Sequence, residues 1–386
     1  MVKAADHPDV VVLGSHPCAY LAAALLRQNS AIRVTQVLVP NEPVAERLVL
    51  INPELFDLHP LLNGLKRKLE LAPLYGLRFL ADDAGTRSEY AGKSIGTYVG
   101  SFTELRSALA KLARDAGADL IEDADPLAIL ALDENGVEIT VKGAHRKPKL
   151  LIVAADLPAD SRRVLGMPTA WENGVVHRYS YLLRDRPRDF EPGPRPLLPM
   201  SLDLKGQLTW AWLLVRGQQI QLAVEQPLEQ VRSVRPSDLM QHWIDVLVKH
   251  QVLKAGDIAS VNGDGLNGDE LKSMDLPLAG ALAQEGVANR ALMIGPAGGF
   301  YTACAEDLYP ACWSAVFAAD AAKKAIKEKH LQDALQPYRQ KWGASLGDYL
   351  RGPQQNLRFL LPLVYRNKMM TARLAEAILF GKSVVR

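Results

Sequence analysis

After a polar start, the chain runs into four consecutive apolar residues, Val10 to Leu13, closed by Gly14. A short run without polar alternation predicts a strand buried on both faces, as in a parallel sheet. From Pro17 onward Ala, Leu and Tyr fall at helical spacing, which predicts a helix directly after a tight turn. Ile32 to Val39 reads as a second strand, Ile51 to Leu62 as a Pro-punctuated helix-and-turn stretch, and Tyr75 to Tyr90 as two strand pieces joined at Asp82-Asp83-Ala84-Gly85. Leu105, Leu109 and Leu112 share one helical face, so a helix spans Ser101 to Ala116, capped by Ser101 or Thr103 and ended by Gly117. Strands follow at Asp119 to Ile121, at Leu127 to Leu132, and at Val137 to Val141 after a turn at Glu134-Asn135-Gly136. Leu150 to Val153 is another buried run, leading into Ala154-Ala155-Asp156.

The pattern then changes. Pro187 to Pro199 is a Pro-rich loop, and Leu208 to Leu214 with Gln219 to Val224 form an antiparallel pair turning at Arg216-Gly217. Ser237 to His250 is a helix with Leu239, Trp243, Val246 and Leu247 inward. Ala291 to Ile294 returns to a buried strand and enters Gly295-Pro296-Ala297-Gly298-Gly299-Phe300. A long helix covers Pro310 to Lys329, and after Pro337 the chain is helical and basic. The reading is a discontinuous α/β domain (1–167 and 270–330), a substrate or cap domain (168–269) and a helical tail (331–386).

Composition changes this picture little. A chain of 386 residues with 48% apolar and 23% charged residues is long enough for two or three domains with an ordinary globular core. A net charge of +2 gives no case for nucleic acid as a partner. Cys18, Cys304 and Cys312 are scattered, so they make neither a disulfide framework nor a metal site, and a reducing, cytoplasmic setting is expected. The polar N-terminus does not read as a signal peptide, and no run approaches the roughly 18 apolar residues that span a bilayer. Asn262 to Asp269 imitates a calcium loop but breaks the acceptor alternation at Leu266.

Strand, tight turn and helix at the start of a chain is how a dinucleotide-binding domain begins. The usual G-x-G-x-x-G is here Gly14-Ser15-His16-Pro17-Cys18-Ala19, with His16 where the backbone must approach a pyrophosphate. Two readings stand for this turn: a phosphate site at a helix N-terminus, with protonated His16 helping to hold the anion, or a purely structural turn. The acid usually found roughly 20 residues after the glycines has Glu42 as its nearest counterpart, beyond Pro40.

The order of parts resembles the flavin-dependent geranylgeranyl reductases and the hydroxybenzoate-hydroxylase-like monooxygenases and halogenases. The resemblance rests on GSHPCA, on YVGSFTELRSALAKLARDAGADLI, on AADLPADSRRVLGMP, on WAWLLV, on IGPAGGFYTACAEDLYPACWSAVFAA, and on the tail pieces YRQKWGASLGDYLRG and RLAEAILFGKSVVR. It implies a Rossmann-like FAD/NAD(P)-binding domain with an antiparallel-sheet substrate domain and a helical C-terminal tail. It implies FAD at Gly14, Ser15, His16, Pro17, Cys18, Ala19, Asp156, Gly295, Pro296, Ala297, Gly298 and Gly299. It also implies an apolar substrate, a polyprenyl chain or an aromatic ring, with Trp210, Trp212 and Tyr301 as candidate contacts. No residue stands out as a catalytic acid or base.

The departures are specific. His16 replaces the second fingerprint Gly, Phe102 the helix Arg that reaches toward the flavin, Leu157 the Gly after Asp156, Pro296 an Asp, and Glu306 and Leu308 two Gly near the flavin ring. A Cβ in such places stands where a ligand would lie, so FAD is expected to be weakly held or lost. The expectation is therefore a flavin-dependent oxidoreductase, or a flavin-free relative keeping the fold as a ligand-binding or partner module. Trp210 and Trp212 share one sheet face and line either a substrate cavity or the core. Glu306 and Asp307 are either a site pair or a capping pair. The tail from 356 to 386 is basic and amphipathic, which suits peripheral contact with a membrane interface or packing on the protein's own core. Interfacial docking predicts that a chain ending near Gly352 stays folded.

Overall fold

A computed structural model describes residues 8–39, 42, 44–83, 85–122, 127–133, 136–187, 190–258, 271–283, 285–351 and 357–382. The Glu134-Asn135 turn, the Asn262 to Asp269 stretch and the ends of the 356–386 segment lie outside these residues.

Val10–Leu13 is fully buried and sits inside a six-stranded sheet, pairing in parallel with Val34–Val37 on one side and Leu150–Val153 on the other. Asp119–Ile121 extends the sheet beyond Val34–Val37, and Ala291–Met293 extends it beyond Leu150–Val153. Helices Pro17–Arg27, Phe102–Asp115 and Tyr309–Ala325 cover one face, packing through Ala19, Ala22 and Ala23 against Ala315, Ala318 and Ala322. Small residues let these helix backbones approach closely. A three-stranded sheet (Leu127–Leu132, Val137–Val141, Ala144–Arg146) covers the other face. This is the expected Rossmann-like layer arrangement.

Ser101 caps the helix Phe102–Asp115 by accepting from the Glu104 N–H at 3.0 Å. Ser101→Ala should cost about 1 kcal/mol. The check is a lower urea midpoint with an unchanged slope.

A second, seven-stranded sheet packs beside the first. Its order is Leu271–Pro277, Val175–Leu183, Gln219–Pro227, Gln207–Arg216, Leu197–Leu204, Gly76–Leu80 and Arg87–Ala91. The 168–269 segment supplies four of these strands, and the others come from either side of it in sequence. Pro236–Lys249 closes one face through Leu239, Trp243 and Leu247. Trp210 and Trp212 lie on the opposite face and are both buried in the core.

Pro337 lies inside the helix Leu331–Arg351 and Pro362 inside Leu357–Val364. The last helix, Lys368–Phe380, buries Leu374, Ala375, Ala377, Ile378 and Leu379 in the core beneath the seven-stranded sheet. The expected interfacial stretch therefore narrows, because most of its apolar residues face the protein. No helix among the described residues is long and apolar enough to cross a membrane.

Candidate functional site

The C-terminal ends of the parallel strands open into a cleft of about 710 Å³ between the two sheets. Crevices at strand C-termini are where open α/β sheets take ligands. His16 and Glu42 come from the first turn and the segment after the second strand, Ala154 to Pro158 from the end of Leu150–Val153, and Pro296 from the Gly-rich turn. Met274 and Leu276 come from the cap sheet. Phe102, Leu157, Trp171 and Val175 add apolar wall, with Leu228 partly exposed.

Unpaired amides at a helix N-terminus attract phosphate, so each donor of the fingerprint turn matters. The N–H groups of Ser15 and His16 both donate to the Glu42 carboxylate, the second at 2.9 Å. Pro17 has no N–H. The Cys18 N–H donates to His16 Nδ1 at 3.3 Å, and the Ala19 N–H to the His16 carbonyl at 2.8 Å. Every backbone donor from Ser15 to Ala19 is thus spent on an acceptor of the chain itself. Burial lifts the Glu42 pKa above the ordinary carboxylate value against the pull of the Ser15 and His16 donors.

His16 is the helix cap, not an exposed cation. Burial lowers its pKa, a trend only partly opposed by Glu306. Because Nδ1 accepts from a backbone N–H, the ring proton sits on Nε2, 3.7 Å from Glu306 Oε1. Burial thus disfavours the charged ring that a protonated phosphate contact would need.

Glu306 organises the floor. Its carboxylate accepts from Arg47 Nε and Nη2, each at 2.8 Å, and from Arg178 Nη1 at 2.8 Å. Arg178 also donates to Glu225 and to the Tyr301 hydroxyl, and Tyr301 donates to Glu225 Oε2 at 2.8 Å. The Arg47 guanidinium lies 3.3 Å from the Phe102 ring centroid, a cation–π contact. Burial would raise the Glu306 pKa, but Arg47 and Arg178 hold it well below the usual carboxylate range. Burial raises that of Glu225, against the pull of Arg178. Two guanidiniums thus meet two carboxylates, all four side chains almost wholly buried at the floor of the cleft.

Ala305 and Glu306 have φ of +51° and +48°, the left-handed region that glycine adopts freely. The backbone thus adopts a glycine-like conformation at two residues that carry side chains. Such strain, of order 1–3 kcal/mol per residue, persists only when the surroundings enforce it. Here the two arginines do so.

Asp307 is a cap. It accepts from the Asn52 and Tyr309 N–H groups and from the Tyr349 hydroxyl at 2.9 Å, and burial pushes its pKa up to about 6. Gly295, at φ +53°, faces Cys18, and a Cβ there would collide with Cys18 Sγ. The Gly295–Gly298 turn therefore packs on the first helix rather than standing away from it. Pro296 lines the cleft, while Ala297, Gly298 and Gly299 are buried around it. Asp156 lies at the rim, bonded to the Leu157 N–H at 3.0 Å and 3.6 Å from Arg162.

The three candidate substrate residues lie away from this cleft. Trp212 sits 5.1 Å under the Arg178 guanidinium, Tyr301 belongs to the ion network, and Trp210 faces a small pocket with Cys304 and Tyr349. Cys18, Cys304 and Cys312 are buried free thiols, and no cluster suited to a metal is found among the described residues. Sequence reasoning missed Arg47, Arg178 and Glu225. The available signal was a charge set inside or beside an apolar strand, as in Arg47 before Leu48–Ile51.

The sequence matches no protein-family profile and no curated protein. Solved structures do match in shape. A geranylgeranyl bacteriochlorophyll reductase-like protein from Thermoplasma acidophilum superposes with a TM-score of 0.70 at 15% identity, over 98% of this chain and 93% of that one. The flavin-dependent brominase Bmp2 gives 0.63 at 14%, over 97% and 93%. PqsL of P. aeruginosa, solved with 2-aminobenzoylacetate, gives 0.64 at 16%, over 98% and 100%. At these identities the likeness is one of fold: this chain shares the Rossmann-like α/β fold of the reductase-like protein, of the flavin-dependent brominase and of PqsL.

Proposed function

We propose that this protein is a flavin-free relative of those oxidoreductases, using the cleft between its sheets to bind an apolar or aromatic small molecule. The observation that carries the reading is the internal occupation of the turn: Glu42 and His16 take the amides from Ser15 to Cys18 that a pyrophosphate would need. Glu306 with its two arginines supports it, since the resemblance puts a flavin ring against that backbone. FAD does not fit this arrangement. The cleft itself is retained, with Phe102, Leu157, Trp171, Met274 and Leu276 as an apolar wall. That composition suits a ligand that gains chiefly from burial of apolar surface.

The alternative is a flavin-dependent oxidoreductase resembling the geranylgeranyl reductases and acting on an apolar substrate. The position of the cleft at the strand ends favours it. One titration separates the two. FAD added to the purified protein should give no bound-flavin absorbance and no heat, and Glu42→Ala with His16→Gly should gain flavin affinity by freeing amides. A yellow wild-type complex that survives dialysis would overturn the proposal. Ligand binding is read by Trp171 fluorescence across aromatic and prenyl compounds, with Trp171→Phe as control. Quenching that persists in the control would place the ligand elsewhere.

A further inference from the structure

Three of the six exposed large apolar side chains among the described residues fall within one short stretch: Phe359 (80% exposed), Leu363 (46%) and Met369 (56%). Phe359 and Leu363 are four residues apart on the helix Leu357–Val364, so they share its outer face with Pro362. The inner face, with Leu357 and Val364, is buried. This helix is thus apolar on both sides.

Its outward face is held in place. The Tyr365 hydroxyl donates to the Leu80 carbonyl at 3.2 Å, and Thr371 Oγ1 donates to the Val364 carbonyl at 2.6 Å. Asn367 caps the next helix by accepting from the Met369 N–H at 2.9 Å. Exposure is therefore built into an anchored corner.

Two cations flank the exposed apolar side chains at the corner. Arg366 and Lys368 are both exposed. The nearby carboxylates Asp82, Asp83 and Asp203 act on the Tyr365 hydroxyl, at the inner end of that side chain. A second copy of the chain is a poor occupant, because three side chains offer far less than the ~800 Å² per partner of a specific protein interface.

We infer that the corner from Phe359 to Met369 docks into the interface of an anionic lipid bilayer. Phe359, Leu363 and Met369 enter the headgroup–acyl boundary, and Arg366 and Lys368 meet the lipid phosphates. A two-part contact of apolar wedge and cations gives reversible, salt-sensitive attachment.

The test uses the full-length protein and sedimentation with vesicles of phosphatidylcholine alone or mixed with phosphatidylglycerol. Binding should favour the mixed vesicles and fall at high salt. Phe359→Ser with Leu363→Ser should reduce binding to both kinds. Arg366→Glu with Lys368→Glu should reduce binding to the anionic vesicles by at least about tenfold. Both double variants should melt at the wild-type temperature, since all four side chains are exposed. Failure of the wild type to sediment with anionic vesicles would overturn the inference, as would unchanged binding by either double variant. Self-association abolished by Phe359→Ser, without vesicle binding, would assign the corner to a second copy instead. None of these outcomes depends on whether the cleft binds flavin.

Discussion

Glu306→Gln should destabilise the protein by about 3–5 kcal/mol at neutral pH, the cost of breaking a buried ion pair from one side. Gln keeps the size of the side chain and one acceptor oxygen. It removes the charge that faces Arg47 and Arg178, whose side chains are only 2% and 1% exposed. Glu225 then remains as the single carboxylate of the network, already bonded to Arg178 and Tyr301. The loss has a pH signature. The folded pKa of Glu306 is held well below the usual 4.5, so its stabilisation is complete above that value and is lost as pH falls through the folded pKa. Denaturation of wild type and variant should therefore give a gap that is constant above about pH 5 and narrows in acid. A gap under about 1 kcal/mol at pH 7, or one that does not narrow, would show that the network is not what holds the floor of the cleft.

Ending the chain at Arg351 should leave it unfolded. The deletion removes the buried side chains Leu357, Val364, Leu374, Ile378 and Leu379 and exposes what they cover in the second core. At about 1.5–3 kcal/mol per large apolar side chain, the loss is comparable to the whole ~5–15 kcal/mol stability of a domain. Polar partners are stranded as well: the Asn52 amide loses the Leu379 carbonyl at 3.3 Å, and the Tyr90 hydroxyl loses Glu376 at 3.2 Å. Far-UV circular dichroism and size exclusion should show an unfolded or aggregated chain. A monomer with a cooperative melt would mean that the last helix is a detachable appendage. Of the two readings of the tail, only interfacial docking required a chain ending near Gly352 to stay folded; packing on the protein's own core did not. The structure divides the tail into a core helix and an exposed corner.

The frame of the fold was legible because it is written locally. Val10 to Leu13 cannot alternate with solvent, Ser101 sits one residue before an amphipathic run, and Trp210 and Trp212 must share a face because a strand has a period of two. Each of these follows from neighbours a few residues apart, and each holds in the structure. The order of those pieces along the chain was enough to indicate the fold. The side chains that crowd the first turn were legible too, since His16 stands in the sequence where a dinucleotide fingerprint has glycine.

What meets those side chains was decided only by tertiary structure. Glu42 reaches the first turn from 27 residues away. Glu306 meets Arg47 across 259 residues and Arg178 across 128, while Glu225 meets Arg178 across 47. In sequence a buried charge and a solvated one are the same letter; an apolar flank such as Leu48–Ile51 beside Arg47 points to burial but names no partner. Partners are chosen by how the two sheets pack, which sets the desolvation each charge suffers and the countercharge within its reach. The same holds for the tail, where helical spacing gives an apolar face but not the surface it meets. The sequence by itself determined the layers and the turns. Packing decided that Glu42, His16 and Glu306 would turn inward on their own backbone and arginines, because burial leaves a charged group stable only where another part of the chain answers it.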